Sequence, residues 1–389
     1  MLNRRSFLQL TLAASVGLQV HQAFALSSAS SAHGRLIVIF LRGGLDGLYA
    51  LAPVDDPQLA IIRPTLASTV LASGIRLGQT GFAAHPACTK LADLFHAGEL
   101  SFAPCAGTTD QSRSHFQAQD LFEIGSGQIR GDTGFMARAA KVIGVDQAIS
   151  FTQQVPLSFQ GLATPPEIAP LTGSGLKMPA NRLRDAILRA NQHTKTGDAL
   201  QQAIATESAI ESTLGMDVSA ARGAAAVNGF PKVALQMGRL LQANPKLSLA
   251  FLDLGGFDTH IAEDGILPHA LENLSEGIAA LKDALGSNEW QRTQVIVMTE
   301  FGRTVRENGT KGTDHGHGGM ALLAGGNIAG GRMLGGFHGL ADQALHENRD
   351  LPVLVDWRDL LSDAMRNVYG LNKQNLDEIF PGRSGKTIS

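Results

Sequence analysis

The chain has 389 residues, of which 44% are hydrophobic and 17% are charged, and its formal net charge at pH 7 is −3. This length allows one large α/β domain with an inserted part, and 44 glycines indicate many tight turns. The small negative charge excludes a broad basic face for nucleic acid, and the composition excludes disordered and coiled-coil classes.

The first 25 residues have the pattern of an export signal. Arg4-Arg5-Ser6-Phe7-Leu8 resembles the twin-arginine signal, an apolar run covers residues 10–20, and Ala23-Phe24-Ala25 is a small-x-small cleavage site. No later apolar run reaches the roughly 18 residues that a membrane span needs. We therefore predict a periplasmic or secreted protein that the twin-arginine export machinery carries and that has no stable membrane span.

Cys88 and Cys105 are the only cysteines. An exported protein would allow them to form a disulfide. Two unpaired, buried thiols are the alternative, because neither cysteine has the spacing of a catalytic or zinc-binding motif.

The chain from residue 35 onward predicts strands that alternate with helices. Residues 35–41 form a continuous apolar run, typical of a central parallel strand that is buried on both faces. Further along we predict helices at 86–97 and 114–124, strands at 99–103, 148–151 and 155–159, and a polar loop at 108–114.

The middle of the chain has a different pattern. Residues 181–213 are rich in helix formers and predict an αα-hairpin outside the sheet, within a helical cap or insertion at 181–228. After it we predict a helix at 230–243, a strand at 247–254, a helix with leucines at three- and four-residue spacing from Leu267 to Leu285, a strand at 293–299 and a last strand at 320–324. This alternation predicts an α/β domain over 35–382 with a mainly parallel central sheet flanked by helices.

Acidic side chains follow three of the predicted strands. Asp46 comes after the first strand, Asp258 with His260 after the strand at 247–254, and Glu300 after the strand at 293–299. Ligands of parallel sheets bind beyond the carboxyl ends of the strands. We therefore predict that these side chains, Glu300 included, lie close together as ligands of a metal site.

The glycine-rich segment 312–319 adds Asp314, His315 and His317. In an extended segment residues i and i+2 point the same way, so His315 and His317 would face one ion, and Asp258 and His260 share this spacing. Imidazole with carboxylate suits Zn²⁺, Mn²⁺ or Fe. The alternative is a loop whose histidines bond backbone groups and whose acids cap helices or form turns.

Several motifs together resemble a known family. They are the export signal and the segments 43–48, 113–116, 255–260, 300–304, 314–318 and 380–382. They are similar to an exported family with the label domain of unknown function 1501, which is placed in the alkaline phosphatase and sulfatase superfamily. The resemblance covers residues 35–382 and implies an alkaline phosphatase-like fold.

The resemblance also implies roles for single residues. It implies that Asp46 is a metal ligand, that Asp258 and His260 form a ligand pair, and that His315 or His317 is a late ligand. Phe301 departs from the pattern, because the superfamily has a metal-binding histidine at that place. Three alternatives follow: Asp314 and the second histidine of the pair replace it, or one metal alone remains, or the site has lost activity.

The implied reaction is hydrolysis of a phosphate or sulfate ester of a small molecule or polymer. The cofactor would be a divalent metal, Zn²⁺ or Mn²⁺, with Ca²⁺ as a further option.

Ser114 would be the nucleophile at a helix N-terminus, with Ser112 as the alternative. Ser114-x-x-Gln117 is also a capping box, so the alternative for Ser114 is a structural role as the N-cap of the helix. Arg113 and Arg303 would bind the anion bidentately, and His115 is the fourth predicted catalytic residue.

Two other functions are alternatives to hydrolysis. The first is a non-catalytic, metal-binding envelope protein of the same fold. The second is a periplasmic oxidoreductase, which the absence of a glycine-rich nucleotide motif after residues 35–41 and of a cysteine cluster argues against.

Overall fold

The computed structural model describes residues 34–145, 148–168 and 222–388. The strands of these residues are β1 (Arg35–Arg42), β2 (Leu51–Ala52), β3 (Ile75–Arg76), β4 (Ala83–Ala84), β5 (Leu100–Gly107), β6 (Ala148–Ser150), β7 (Glu167–Ile168), β8 (Ala225–Ala226), β9 (Leu249–Gly255), β10 (Thr293–Thr299), β11 (Gly319–Gly325) and β12 (Val355–Asp356). The α-helices are α1 (Gly47–Ala50), α2 (Leu59–Ile62), α3 (Ser68–Ser73), α4 (Thr89–His96), α5 (His115–Ile124), α6 (Phe135–Ile143), α7 (Phe230–Ala243), α8 (Glu263–Gln291), α9 (Trp357–Tyr369) and α10 (Lys373–Ile379).

The main sheet has nine strands in the order β12-β5-β11-β10-β1-β9-β6-β7, with β8 paired to β9. β1 lies between two parallel neighbours, with Val38 opposite Ile296 of β10 and Phe251 of β9. β11 alone runs antiparallel to its neighbours, β10 and β5. The remaining pairings are parallel. The prediction of a mainly parallel central sheet is therefore confirmed, and β2, β4 and β3 form a separate small antiparallel sheet.

Helices cover both faces of the sheet. All eight residues of β1 are buried, and its side chains alternate between two hydrophobic cores. Ile37 and Ile39 belong to the core under α7 and α8, whereas Val38 and Phe40 belong to the core under α6 and α9. Since both faces of the strand are covered, its sequence is apolar throughout and does not alternate.

The long helix α8 confirms the leucine pattern of the sequence. Leu267, Leu271, Leu274, Ile278 and Leu281 are fully buried. Gly286 has φ +71, a left-handed conformation that interrupts the helix, so two helical parts meet there. No helix of the described residues is long and apolar enough to cross a membrane.

Two sequence predictions are wrong. Residues 155–159 form a short 3₁₀ turn, Leu157–Phe159, and not a strand. Pro156 precedes this turn and lacks the N–H that a strand ladder needs, and the Ser158 N–H donates to the buried Glu123 carboxylate at 3.0 Å. The strand at 320–324 is not the last, because β12 follows it and extends the sheet beyond β5.

Some predictions concern segments that lie wholly or partly outside the described residues. The export signal at 1–25 and the αα-hairpin at 181–213 lie outside the described residues. Of the insertion predicted at 181–228, the described end includes β8, which pairs with β9. Cys88 and Cys105 are both free thiols, and burial raises the pKa of each to about 12.

Candidate metal centre

Several segments of the chain meet at one edge of the main sheet. β1, β9 and β10 are parallel neighbours, so the residues that follow them leave the sheet at the same edge. β11 runs the opposite way, so the residues that precede it, 312–318, arrive at this edge too. The loop after β5 also lies here and leads into α5 at His115. The predicted convergence of strand ends therefore takes place.

Two loops at this edge are held together through glycines. The Gly302 N–H donates to the His317 carbonyl, and the Gly316 N–H donates to the Gly302 carbonyl, both at 2.8 Å. A Cβ atom on Gly302 would lie 1.9 Å from the carbonyl oxygen of Gly318. Only glycine allows this approach. The contact fixes the histidine-bearing segment against the exit of β10.

Three histidines surround one buried carboxylate. Potential ligand atoms of His115, Asp258 and His315 lie within 4.8 Å of one another. Asp258 Oδ2 is 3.5 Å from His115 Nε2, and Asp258 Oδ1 is 3.5 Å from His315 Nε2. His260 Nε2 is 2.9 Å from Asp258 Oδ1 and 3.1 Å from His315 Nε2. We call His115, Asp258, His260 and His315 the candidate metal centre.

The outer ring nitrogens of two histidines are held by acceptors. His315 Nδ1 donates to the Arg113 carbonyl oxygen at 2.9 Å, and His115 Nδ1 donates to Glu300 Oε1 at 2.7 Å. A carbonyl or an ionised carboxylate can only accept, so the proton lies on Nδ1 and the Nε2 atom faces the centre. Metal-binding imidazoles are oriented in this way by carbonyl and carboxylate partners.

The four residues fit a small divalent cation. Tetrahedral zinc bound by nitrogen and oxygen has ligand atoms about 3.3 Å apart, since each bond is roughly 2.0–2.1 Å. The observed separations of 2.9, 3.1 and 3.5 Å lie on both sides of that value. His115 Nε2 is also buried, and within the described part of the chain it makes no close hydrogen bond, since Asp258 Oδ2 lies 3.5 Å away. A buried nitrogen of this kind needs an explanation, and a metal ion supplies one.

The electrostatics of the protein also favour positive charge at this point. Burial lowers the pKa of His115, but hydrogen bonds and charges of Asp258 and Glu300 raise it more, to about 9. Burial raises the pKa of Asp258, yet hydrogen bonds from His115, His260 and His315 and the charge of Arg303 hold it well below its usual range. Burial also lowers the pKa of His315, against its hydrogen bond to Asp258. A proton on His115 or a metal ion can supply the charge that the carboxylates favour.

Glu300, a predicted ligand, lies behind His115. Its Oε1 also accepts from the Gly43 N–H at 2.8 Å and from Gln119 Nε2 at 3.0 Å, while Thr299 Oγ1 donates to Oε2 at 2.8 Å. Burial raises the pKa of Glu300, but the hydrogen bond and charge of His115 and the hydrogen bond of Gln119 outweigh it and lower the pKa to about 2. The carboxylate is placed to orient the imidazole of His115.

A buried ion-pair network supports this arrangement from behind. Gln119 Oε1 accepts from Arg42 Nη1 at 2.8 Å. Arg42 in turn pairs with Glu123 and Asp253, each at 2.8 Å. Gln119 and Arg42 had no functional prediction from the sequence, because their link to His115 passes through residues that are far apart in the chain.

Asp46 and Arg303 are engaged by other parts of the protein. Asp46 caps α1 through the Leu48 N–H at 3.0 Å and forms a buried ion pair with Arg63. The guanidinium of Arg303 binds Asp258 and donates to backbone carbonyls, which are those of Gly43, Gly44, Phe257 and Thr313. Arg303 therefore joins the loops that follow β1, β9 and β10, and its donors are directed at the protein.

His315 and His317 do not face one point. His317 Nδ1 lies 2.9 Å from Asp350 Oδ2, and its Nε2 lies 2.9 Å from Gln111 Oε1. The physical reason is that residues 312–318 precede β11 and are not themselves a strand, so alternation of side chains does not apply. Asp314 has a side chain that is 57% exposed, 3.6 Å from His260 Nδ1.

Arg113 and the two serines lie in the loop before α5. The Arg113 guanidinium pairs with Asp350 at 2.9 Å and with Glu347, not with the candidate metal centre. Ser114 is the N-cap residue of α5, but its side chain makes no capping hydrogen bond. The Ser112 hydroxyl bonds Asp110 at 2.9 Å. The capping box that the sequence suggested is therefore not formed.

Phe301 packs against the centre. Its ring centroid lies 4.8 Å from that of His115 and 4.9 Å from that of His315. His115 itself was predicted as catalytic and not as a ligand. Its position directly after Ser114, at the start of a helix that follows a strand exit, is the sequence signal that could have indicated a ligand.

The fold and the site define an α/β protein with a mainly parallel central sheet and a histidine-rich candidate metal centre at one sheet edge. The family model described as "Protein of unknown function (DUF1501)" matches residues 132–380, and the chain belongs to this family. No curated protein matches its sequence.

Several solved structures are similar to this chain. One is a protein in the alkaline phosphatase superfamily from Vibrio parahaemolyticus, with 12% identity and a TM-score of 0.39, over 77% of this chain and 62% of that chain. Another is the C-terminal periplasmic domain of EcEptC from Escherichia coli, with 8% identity and a TM-score of 0.43, over 91% of this chain and 88% of that chain. A third is a 2-O GAG sulfatase, with 10% identity and a TM-score of 0.43, over 92% of this chain and 76% of that chain.

Proposed function

We propose that this protein is an exported, metal-dependent hydrolase of phosphate or sulfate esters, in which the candidate metal centre holds one divalent ion. The observation that carries the proposal is the convergence of three Nε2 atoms, those of His115, His260 and His315, on the carboxylate of Asp258. Its place of action would be the periplasm or the exterior of the cell, as the N-terminal sequence suggests.

The donor set favours some metals over others. Three imidazoles and one carboxylate suit Zn²⁺ best, and Mn²⁺ and Fe remain compatible with them. Ca²⁺ is the weakest option, because it prefers six to eight oxygen ligands. When bound, the ion would lower the pKa of a nearby hydroxyl and stabilise negative charge on the transferred group.

Ser114 is the proposed nucleophile. Its neighbours on either side contact the centre, since the Arg113 carbonyl accepts from His315 and His115 faces Asp258. The serine hydroxyl is free of a capping role, and it stands at the N-terminus of the ten-residue helix α5, where backbone N–H groups favour an anion. In the reaction the serine oxygen would take the phosphoryl or sulfuryl group, its proton would leave with the alcohol, and water would later release the inorganic anion.

A non-catalytic metal-binding protein of the same fold is the second candidate. The observation that favours it is that both arginines expected to bind the substrate anion, Arg113 and Arg303, are engaged within the protein. Asp46 is likewise engaged, by Arg63. In this second candidate the metal ion would stabilise the fold or a surface that binds a partner.

Metal analysis and ester assays together test the proposal. We expect at least one equivalent of metal after supplementation, and activity on aryl phosphate, phosphodiester or aryl sulfate substrates. Asp258→Asn and His115→Ala should each remove metal and activity. His269→Ala is the matched control, because the His269 side chain is 62% exposed on α8, and it should keep both.

The outcomes separate the two candidates. Bound metal without hydrolysis of any of the three ester classes would favour the non-catalytic protein. Less than one equivalent of metal in the wild-type protein would contradict the proposal that these four residues bind a metal ion.

A further inference from the structure

A cavity of about 400 Å³ lies beside the loop that leads to Ser114. None of the four residues of the candidate metal centre lines it. Its polar lining includes Thr108, Thr109, Gln111, His317, His346 and Lys386. The apolar residues of the lining, which we call the apolar wall, are Pro352, Val353, Leu354 and Ile388. The cavity can therefore hold a molecule with a polar end and a small apolar part.

Two imidazoles in contact, with their planes tilted by 53°, belong to the polar lining. The rings of His317 and His346 have centroids 4.2 Å apart. His317 is fixed by the buried Asp350, which lies 2.9 Å from its Nδ1. The Nε2 atom of His346 is buried and has no hydrogen-bond partner among the described residues. A buried imidazole nitrogen without a partner is the kind of group that a ligand oxygen satisfies.

The turn that carries His346 is strained. Glu347 and Asn348 both have φ +54, the left-handed conformation that residues with a side chain rarely adopt. Backbone hydrogen bonds between His346 and Asp350, at 2.8 and 3.0 Å, close this turn. Strained non-glycine residues persist where the surrounding structure holds them, and they occur often at binding sites.

The charges around the cavity leave a positive surplus. Asp356 pairs with Arg358 at 2.6 Å, and Asp359 is 3.4 Å from Arg383 and also accepts from the Gly385 N–H. Lys386, an exposed residue of the cavity lining, pairs with no carboxylate in the part of the chain that the structure describes. The acids of the lining are thus neutralised, whereas the lysine is not.

We propose that this cavity is an oxyanion-binding site, distinct from the metal centre, that holds a carboxylate, phosphate or sulfate group between Lys386 and His346. The Lys386 ammonium supplies the charge, and the His346 Nε2–H supplies a directed donor. The apolar wall at Val353 and Leu354 covers the organic part of the same molecule. The inference goes beyond the proposed hydrolysis and does not require it.

Calorimetric titration of the full chain with inorganic phosphate, sulfate and acetate tests the site. The protein is first treated with a chelator, so that no metal can hold the anion. We expect saturable binding of at least one of these anions at one site. The Lys386→Met variant should bind about tenfold more weakly, because a charge-assisted contact is lost.

Two further variants complete the experiment. His346→Phe keeps a ring against His317 but lacks the donor, and it should weaken binding by about fivefold. Lys90→Met is the matched control: Lys90 lies on α4 beside Asp93 at 4.0 Å, outside the cavity lining, and its removal should leave binding unchanged. If His346→Phe does not fold, Lys386→Met decides the question, because Lys386 is exposed.

Three results would overturn the inference. The first is an absence of saturable binding for all three anions. The second is unchanged affinity in Lys386→Met, which would leave the lysine merely solvated. The third is binding that appears only after metal is restored, because the anion would then belong to the metal centre.

Discussion

The imidazole of His115 and the carboxylate of Glu300 form a buried pair, with Nδ1 2.7 Å from Oε1. Gln119 and the Gly43 N–H bind the same carboxylate oxygen. The outer nitrogen of His115 is therefore fixed, and the inner nitrogen is directed at Asp258. Partners of this kind tune metal affinity without touching the metal.

Glu300→Gln should weaken metal binding by about 10- to 100-fold, because the imidazole loses its charged partner. Competition titration against a chelating dye measures this change. One equivalent of metal should still bind at saturation, since the candidate ligands remain. Glu272→Gln is the control, because its side chain is 64% exposed on α8, and it should bind as wild type. Wild-type affinity in Glu300→Gln would show that the pair does not position His115.

The metal-free protein should lose stability as the pH rises from about 6.5 to 9. The pKa of His115 is raised to about 9 in the folded protein, from an ordinary value near 6.5 in the unfolded chain. The folded state therefore binds the proton more tightly, and this stabilisation is complete below pH 6.5 and lost above pH 9. The shift corresponds to about 3 kcal/mol.

Urea denaturation of chelated protein at several pH values measures this dependence. His115→Gln should remove this part of the pH dependence, whereas the exposed His269→Gln should retain it. Stability of the wild type that stays flat or rises between pH 6.5 and 9 would contradict the proposed protonation of His115. Metal affinity should rise over the same interval, because the ion replaces the proton on Nε2.

Asp46→Asn should destabilise the fold by about 3 kcal/mol, because the buried Arg63 loses its ionic partner. Arg63 would keep its bonds to the carbonyls of Val305 and Thr304, each at 2.7 Å. Chemical denaturation measures the loss, and metal analysis should show unchanged metal content. Asp55→Asn is the control, since its pair with Arg76 is on the surface and should contribute less than about 1 kcal/mol. If Asp46→Asn kept its stability but lost metal, Asp46 would have to be a metal ligand, as the sequence predicted.

Ser114→Ala should reduce ester hydrolysis by at least about a hundredfold while metal content stays at the wild-type level. Ser112→Ala should have a small effect, because the Ser112 hydroxyl is engaged by Asp110. Steady-state assays with the best ester substrate compare the two variants. A larger loss in Ser112→Ala would move the nucleophile to that position.

The sequence predicted the central part of the sheet well, for a physical reason. β1, β9 and β10 are buried on both faces, so hydrophobicity alone marks them as strands. The direction of β11 could not be predicted, because an apolar run of its kind is the same in a parallel or an antiparallel strand. Short elements such as β12 are stabilised by tertiary contacts and carry no pattern of their own.

The site was only partly visible in the sequence. The spacing of Asp258 and His260 indicated a ligand pair, and the two side chains do lie together. The partners of Asp46 and Arg303 could not be predicted, because Arg63 and the carbonyls that bind Arg303 meet them only through the fold. The same holds for His317, which Asp350 binds from 33 positions away.

The contact between Gly302 and Gly318 has a consequence for comparing this chain with its relatives. A relative could keep every histidine and aspartate yet fail to assemble the candidate metal centre, if one added methyl group at Gly302 pushed the two loops apart, because that carbon would lie 1.9 Å from the Gly318 carbonyl oxygen. Whether a homologue can form this centre should therefore be judged from the residues at the positions of Gly302 and Gly318 as well as from its candidate metal ligands.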